Sequence, residues 1–186
     1  MMRVLPTSIP EVALIEPKVY GDTRGFFFES FNERQFSEII GQNVRFVQDN
    51  HSRSSRGVLR GVHYQVRHTQ GKLVRVVSGA VFDVAVDLRR SSPTYGSYVG
   101  EILTAENKRM LWVPEGFGHA FLVLSDNADF LYKTTDYYDP DAERCIRWDD
   151  PDLDIRWPLE ELEDVEVKLS QKDREGLQFR EAEVFA

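Results

Sequence analysis

The chain has 186 residues, 41% hydrophobic and 12% aromatic, which is enough for a core and excludes wholesale disorder. Its 23 Lys and Arg stand against 31 Asp and Glu, a net charge of −8, opposite in sign to the basic footprint of a nucleic-acid binder. No apolar run approaches the roughly 20 residues of a bilayer span. Pro6 and Pro10 interrupt any signal-peptide core, and the one cysteine, Cys145, cannot close an intramolecular disulfide, so a single cytoplasmic domain over residues 1–186 is expected.

The recurring unit is a short strand bounded by Gly, Pro, Asn or Asp and rich in Val, Phe, Tyr and Trp. Strands are predicted at 12–15 and 26–31. The one clear helix follows at 33–40, with Asn32 as its cap, Gln35 at the capping-box position and Gly41 as its stop. Further strands are predicted at 45–48, 58–65, 72–77 and 80–87, the last two separated by Ser78-Gly79 as in a tight hairpin. The series ends with 97–103, 110–113, 120–124, 129–134 and 145–148. Many short strands with little helix give a mainly β fold, an antiparallel sandwich or barrel. Beyond Asp149 the chain is polar, but Ile155, Trp157, Leu159, Leu162, Val165, Val167 and Leu169 are regular apolar anchors, so this segment is expected to pack back over the barrel.

Arg53, Arg56, Arg60, Arg67, Lys72 and Arg75 crowd into one central stretch, whereas 160–166 is acidic. Both read as solvated faces, except that the central charges alternate with strand-like apolar residues. Within Gly57-Val58-Leu59-Arg60-Gly61-Val62-His63-Tyr64-Gln65, regular alternation would put Arg60 and His63 on opposite faces, and a bulge at Gly61 would bring them to one. A satisfied core histidine beside a surface arginine is the other reading. Lys72 shares a face with Val74 and Val76, either snorkelling at a strand end or facing inward to stabilise an anion. Tyr132 shares a face with Phe130, as a core aromatic with its hydroxyl bonded would. His68 reads as solvated, and His51 has no special claim.

Pro114-Glu115-Gly116-Phe117-Gly118-His119, leading into a strand, resembles the second motif of the cupin superfamily, whose fold is a double-stranded β-helix jelly roll. In the first motif the His-x-His slot reads His63-Tyr64-Gln65 and the acidic position offers Lys72, a pattern that looks like a cupin without its metal. Asp22-Thr23-Arg24-Gly25-Phe26-Phe27-Phe28-Glu29, Gln48-Asp49-Asn50-His51-Ser52, Gln70-Gly71-Lys72-Leu73-Val74-Arg75-Val76, Tyr132-Lys133-Thr134-Thr135, Trp148-Asp149-Asp150-Pro151 and Leu169-Ser170-Gln171-Lys172-Asp173 extend the likeness over nearly the whole chain. Together they resemble the dTDP-4-dehydrorhamnose 3,5-epimerase family.

That resemblance implies a cupin jelly roll with short helices and a C-terminal segment over the barrel. It also implies an isomerase of dTDP-L-rhamnose biosynthesis that uses no cofactor and no metal. Its substrate class is a dTDP-4-keto-6-deoxyhexose, whose ketone acidifies the hydrogens on C3 and C5. By resemblance His63 is the proton-abstracting base, Asp173 orients it, Lys72 stabilises the enolate and Tyr132 reprotonates the opposite face. His119 binds substrate with Asp83 as a partner, and Arg24, Glu29, Gln48, Asp49, Asn50, Arg60, Tyr138, Glu143 and Lys172 bind the carrier, Tyr138 by stacking on the base. Family members are homodimers, and Arg24 and Glu29 are expected to reach a neighbouring subunit's site. The alternatives are a single-centre epimerase, a metal-dependent cupin and a non-catalytic sugar-nucleotide binding module.

Overall fold

In the computed structural model, which describes residues 2–186, two antiparallel sheets face each other. The six-stranded sheet runs β1 (Arg3–Leu5), β2 (Ala13–Glu16), β10 (Met110–Val113), β7 (Lys72–Ser78), β12 (Asn127–Thr134) and β5 (Gln48–Ser55). The five-stranded sheet runs β13 (Glu143–Cys145), β6 (Leu59–Gln65), β11 (Phe117–Val123), β8 (Ala80–Asp87) and β9 (Tyr98–Thr104). A separate two-stranded ribbon joins β3 (Tyr20–Asp22) to β4 (Gly25–Phe27). This is the cupin-like double-stranded β-helix expected of a mainly β chain.

Alternation along the strands sorts the side chains into three layers. Between the sheets, Val74, Val76, Leu111 and Phe130 meet Val81, Ala85, Phe117 and Phe121. Outside the six-stranded sheet, Ile15, Leu73, Met110 and Trp112 pack against Phe36 of helix α1 (Glu33–Ile40) and against Phe31 and Phe46. Outside the five-stranded sheet, Leu59, Tyr64, Val84 and Leu122 are covered by Ile146, Leu153, Trp157, Leu162 and Phe179. The C-terminal segment therefore packs back on its apolar anchors, except Leu159, which starts a short helical turn and stays 41% exposed. Helix α1 has the expected ends: Asn32 Oδ1 accepts from Gln35 N, and Gly41 closes it in the left-handed conformation. Among the described residues no helix is long and apolar enough to cross a membrane.

Several expectations need correction. Ser78-Gly79 does not make a hairpin, because β7 pairs with β10 and β12 whereas β8 pairs with β11 and β9. The chain turns a corner from one sheet to the other at Gly79, whose φ of 78° suits glycine and where a Cβ would collide with Asn127 O. The strand expected at 45–48 begins where that expectation ends and runs to Ser55. β5 is polar on both faces and offers no apolar alternation to read. The strand expected at 26–31 is confined to β4, and that expected at 145–148 lies at Glu143–Cys145. The strands β1 and β3 were not anticipated.

Candidate active site

The register between β11 and β6 sets the site. His119 faces His63 and Phe121 faces Arg60, so three steps along β6 oppose two along β11. That is a bulge at Gly61-Val62. Gly61 has φ of 121°, and a Cβ there would overlap Ala120 and the His119 carbonyl oxygen. The extra residue returns Arg60 and His63 to the same face, and both line a cavity of about 590 Å³ between the sheets.

His63 and His119 reach this cavity from the five-stranded sheet, whereas Lys72 on β7 and Tyr132 on β12 reach it from the six-stranded sheet. Imidazole and phenol thus occupy opposite walls. Behind His63 lies Asp173 of the short helix α2 (Gln171–Arg174), 2% exposed, with Oδ1 2.7 Å from His63 Nε2. The approach is off the N–H axis, so it is a close electrostatic pairing and not an aligned hydrogen bond. Burial pushes the Asp173 carboxyl up, but His63, Ser170 Oγ and the Gly61 N–H overrule it and bring the pKa down to about 2. Gly61 N donates to Oδ1 over 3.1 Å and Ser170 Oγ to Oδ2 over 2.6 Å. The carboxylate is therefore ionised and has a donor on each oxygen. Nε2 turned toward it leaves Nδ1 of His63 to take a proton.

His119 Nε2 sits 3.1 and 3.0 Å from the two oxygens of fully buried Asp83, and its ring stacks against Phe130. That carboxylate accepts only, so the N–H is fixed at Nε2. Lys72 is 8% exposed, and desolvation lowers its pKa from 10.5 to about 8 against the opposing pull of Glu143 and Asp83. It remains an ammonium at neutral pH. Burial raises the Tyr132 phenol, with Arg60 pulling the other way, so it keeps its proton.

At the mouth, Tyr138 Oη donates to Glu143 Oε2 over 2.7 Å, and Lys172 Nζ pairs with the same oxygen. The hydrogen bond to Glu143 pushes the Tyr138 phenol up to about 12. Burial pushes Glu143 up, but the hydrogen bonds from Lys172 and Tyr138 hold it below the usual carboxylate range. Arg60, Lys72, Lys168 and Lys172 line the cavity against the carboxylates of Glu143 and Asp173. A chain of net charge −8 thus presents a locally cationic cleft.

Other candidate residues lie apart from this set or at its edge. Gln48 accepts from Tyr138 N with Oε1 and donates through Nε2 to Asn50 Oδ1, and both stand on the inward-facing side of β5. Asp49 points to the outer face, where it accepts from Lys133 Nζ over 2.9 Å. Arg24, on the ribbon, pairs with Asp22 in solvent, and Glu29 accepts from Asn32 and Gln35 at the start of α1. None of these five residues lines the chain's own cavity, although Gln48 reaches its edge through Tyr138 N. Gln65, Gln70, Ser52 and Ser170 were not singled out from sequence, yet they line it. Gln65 shares the strand parity of His63, and Ser170-x-x-Asp173 has capping-box spacing, so two of them left a readable signal.

Among the described residues, His63, Cys145 and Asp173 bring potential ligand atoms within 4.8 Å of one another. The donor set suits a metal poorly. Burial raises the Cys145 thiol to about 12, and both Asp173 oxygens already accept hydrogen bonds. In the His-x-His slot, Gln65 is engaged by loop backbone, and Lys72 is an ammonium with no lone pair to offer.

The sequence model of the dTDP-4-dehydrorhamnose 3,5-epimerase family matches residues 6–181. Over 184 residues the chain is 60% identical to a dTDP-4-dehydrorhamnose 3,5-epimerase of Pseudomonas aeruginosa, covering 99% of each. Over 182 residues it is 41% identical to a dTDP-4-dehydrorhamnose 3-epimerase of Streptomyces niveus, covering 97% of this chain and 86% of that one. It superposes with a TM-score of 0.94 and 54% identity on the crystal structure of a dTDP-6-deoxy-D-glucose-3,5-epimerase of Legionella pneumophila in complex with dTDP-4-keto-L-rhamnose, covering 98% and 95% of the two chains. A likeness this close, running through both sheets and into the C-terminal segment, makes the chain a member of the dTDP-4-dehydrorhamnose 3,5-epimerase family.

Proposed function

We propose that this chain is an isomerase converting dTDP-4-dehydro-6-deoxy-D-glucose to dTDP-4-dehydro-L-rhamnose, a step of dTDP-L-rhamnose formation, by inverting C3 and C5. The observation that carries the reading is an imidazole and a phenol on opposite walls of one cavity that also holds a buried ammonium. His63 takes the proton from a carbon next to the C4 ketone. The C–H electron pair becomes the enolate, whose oxygen carries the charge beside Lys72. Tyr132 then delivers its proton to the opposite face of that carbon, and the centre is inverted. His63 and Tyr132 exchange protons with solvent to restore their starting states. No electrons are gained or lost overall, so the chemistry calls for no redox cofactor. Asp173 steadies the imidazolium that forms, and His119 with Asp83 presents a fixed polar contact to the sugar.

The cationic lining supports a diphosphate carrier, for which the planar fork of Arg60 and the ammonium of Lys172 are suited. Tyr138 supplies an aromatic face for the base, and Gln48, Asn50 and Glu143 supply hydrogen bonds. Arg24 and Glu29 are read as serving a second copy of the chain. Tyr20, Phe26 and Phe27 on the β3–β4 ribbon are 54%, 64% and 67% exposed, and a two-stranded ribbon is marginal alone, which supports docking in a homodimer. One domain over residues 1–186 is consistent with shared core layers, and the free thiol of Cys145 with a reducing cytoplasm.

His63→Ala and Tyr132→Phe are each expected to lower kcat by about 10²–10⁴, the usual worth of a general base or acid, while dTDP still binds. Turnover near wild type in either variant would remove that residue from the chemistry. The Streptomyces relative, named a 3-epimerase, favours one second reading: inversion at a single carbon, which the same cavity could perform with half the proton traffic.

A further inference from the structure

Gln65 stands on β6 two residues beyond His63, with its side chain 4% exposed. Its carboxamide is fully engaged by backbone. Nε2 donates to His68 O over 2.6 Å and to Tyr137 O over 3.2 Å, and Oε1 accepts from Asp139 N over 3.0 Å. The partners fix the orientation of the amide, because two carbonyl oxygens must face the NH₂ and one N–H must face the oxygen. Tyr137 O and Asp139 N lie on the two peptide units that flank Tyr138. The N–H of the first of these units donates to Gln48 Oε1 over 3.2 Å. Gln48 comes from the six-stranded sheet and Gln65 from the five-stranded sheet, so two glutamines reach from opposite walls and hold the backbone on either side of one exposed tyrosine.

Neighbouring contacts brace the same segment. Gln70 Nε2 donates to Asp136 O over 2.9 Å, and Gly71 N donates to Thr135 Oγ1 over 2.8 Å. These act earlier in the segment, whereas Gln65 is the side chain that brackets Tyr138 itself. A loop residue fixed at both flanking peptides loses little freedom when a ligand lands on it, and that saving appears as affinity.

We infer that Gln65 is a positioning residue for carrier binding: it presets the Tyr138 ring at the mouth and so tunes affinity for the nucleoside diphosphate without taking part in proton transfer. The inference rests on the reading of Tyr138 as a carrier contact. Gln65→Glu keeps the shape but replaces the NH₂ with a carboxylate oxygen facing two carbonyl oxygens, and Gln65→Met serves if that variant does not fold. With dTDP as the probe, either is expected to raise Kd, and KM for the sugar nucleotide, by about tenfold, the scale of one or two net hydrogen bonds. Saturated kcat should stay within about twofold, a split that mere loss of stability would not produce. In a Tyr138→Ala background the same substitution should change Kd by less than about twofold, since there is no ring left to place. Loss of kcat at unchanged KM, or a full tenfold effect persisting without Tyr138, would overturn the positioning role. If Tyr138→Ala alone leaves the Kd for dTDP unaltered, the carrier role of Tyr138 falls and this inference falls with it.

Discussion

Lys72 is the residue whose environment makes the sharpest statement about chemistry. Desolvation favours its neutral amine, so the proton leaves near pH 8 and not near 10.5. The ammonium that would face an enolate is present below that value and absent above it. The profile of kcat/KM is therefore expected to fall as pH rises past about 8. Lys72→Arg, whose guanidinium stays protonated, should lose that alkaline limb while running more slowly, and Lys72→Met should be nearly inactive throughout. A wild-type profile flat to pH 10, or the same limb surviving in Lys72→Arg, would show that another group titrates. The sequence disclosed that Lys72 heads a row of core positions with Val74 and Val76, but not whether its head group turned inward or snorkelled out. That depends on which strands lie opposite, and Glu143 and Asp83, the carboxylates acting on Lys72, both stand on the five-stranded sheet, which local pattern does not place across from Lys72.

Among the elements, β6 shows how one glycine shapes the site. An alanine at Gly61 would meet Ala120 and the His119 carbonyl and would have to adopt a φ of 121°. Gly61→Ala is expected to destabilise the protein by about 2–4 kcal/mol from strain and overpacking together, read as a lower denaturation midpoint. Activity should fall as well, because the bulge sets His63 against Arg60 and gives Asp173 its Gly61 N–H donor. A variant as stable and active as wild type would mean that the bulge is dispensable. This feature was legible because a glycine, with no side chain to pack inside an apolar strand, marks a break in the pairing or a close backbone approach. β5 was not, since Gln48, Asn50, Ser52 and Ser54 face the inside of the barrel and Asp49, His51 and Arg53 face outward, leaving no hydrophobic period to detect. The corner at Ser78-Gly79 was misread because local residues specify a turn but not which sheet receives the next strand.

For the whole molecule, the decisive contact joins β6 to a helix more than a hundred residues later. Apolar anchors predicted that the C-terminal segment would fold back over the barrel, and all of them but Leu159 pack on the outer face of the five-stranded sheet. That its next turn delivers Asp173 to His63 came only from family resemblance, because no periodicity in 149–173 encodes a long-range pairing. The exposed ribbon carries the assembly question, and sedimentation should find a dimer that Phe26→Asp with Phe27→Asp disrupts; an unchanged mass would detach the ribbon from assembly. The chemistry itself is tested most directly by proton NMR of dTDP-4-dehydro-6-deoxy-D-glucose with enzyme in deuterium oxide. The expected result is deuterium at both C3 and C5 with the L-rhamno configuration in the product. Label at one carbon alone, or at neither, would contradict double epimerisation by this cavity.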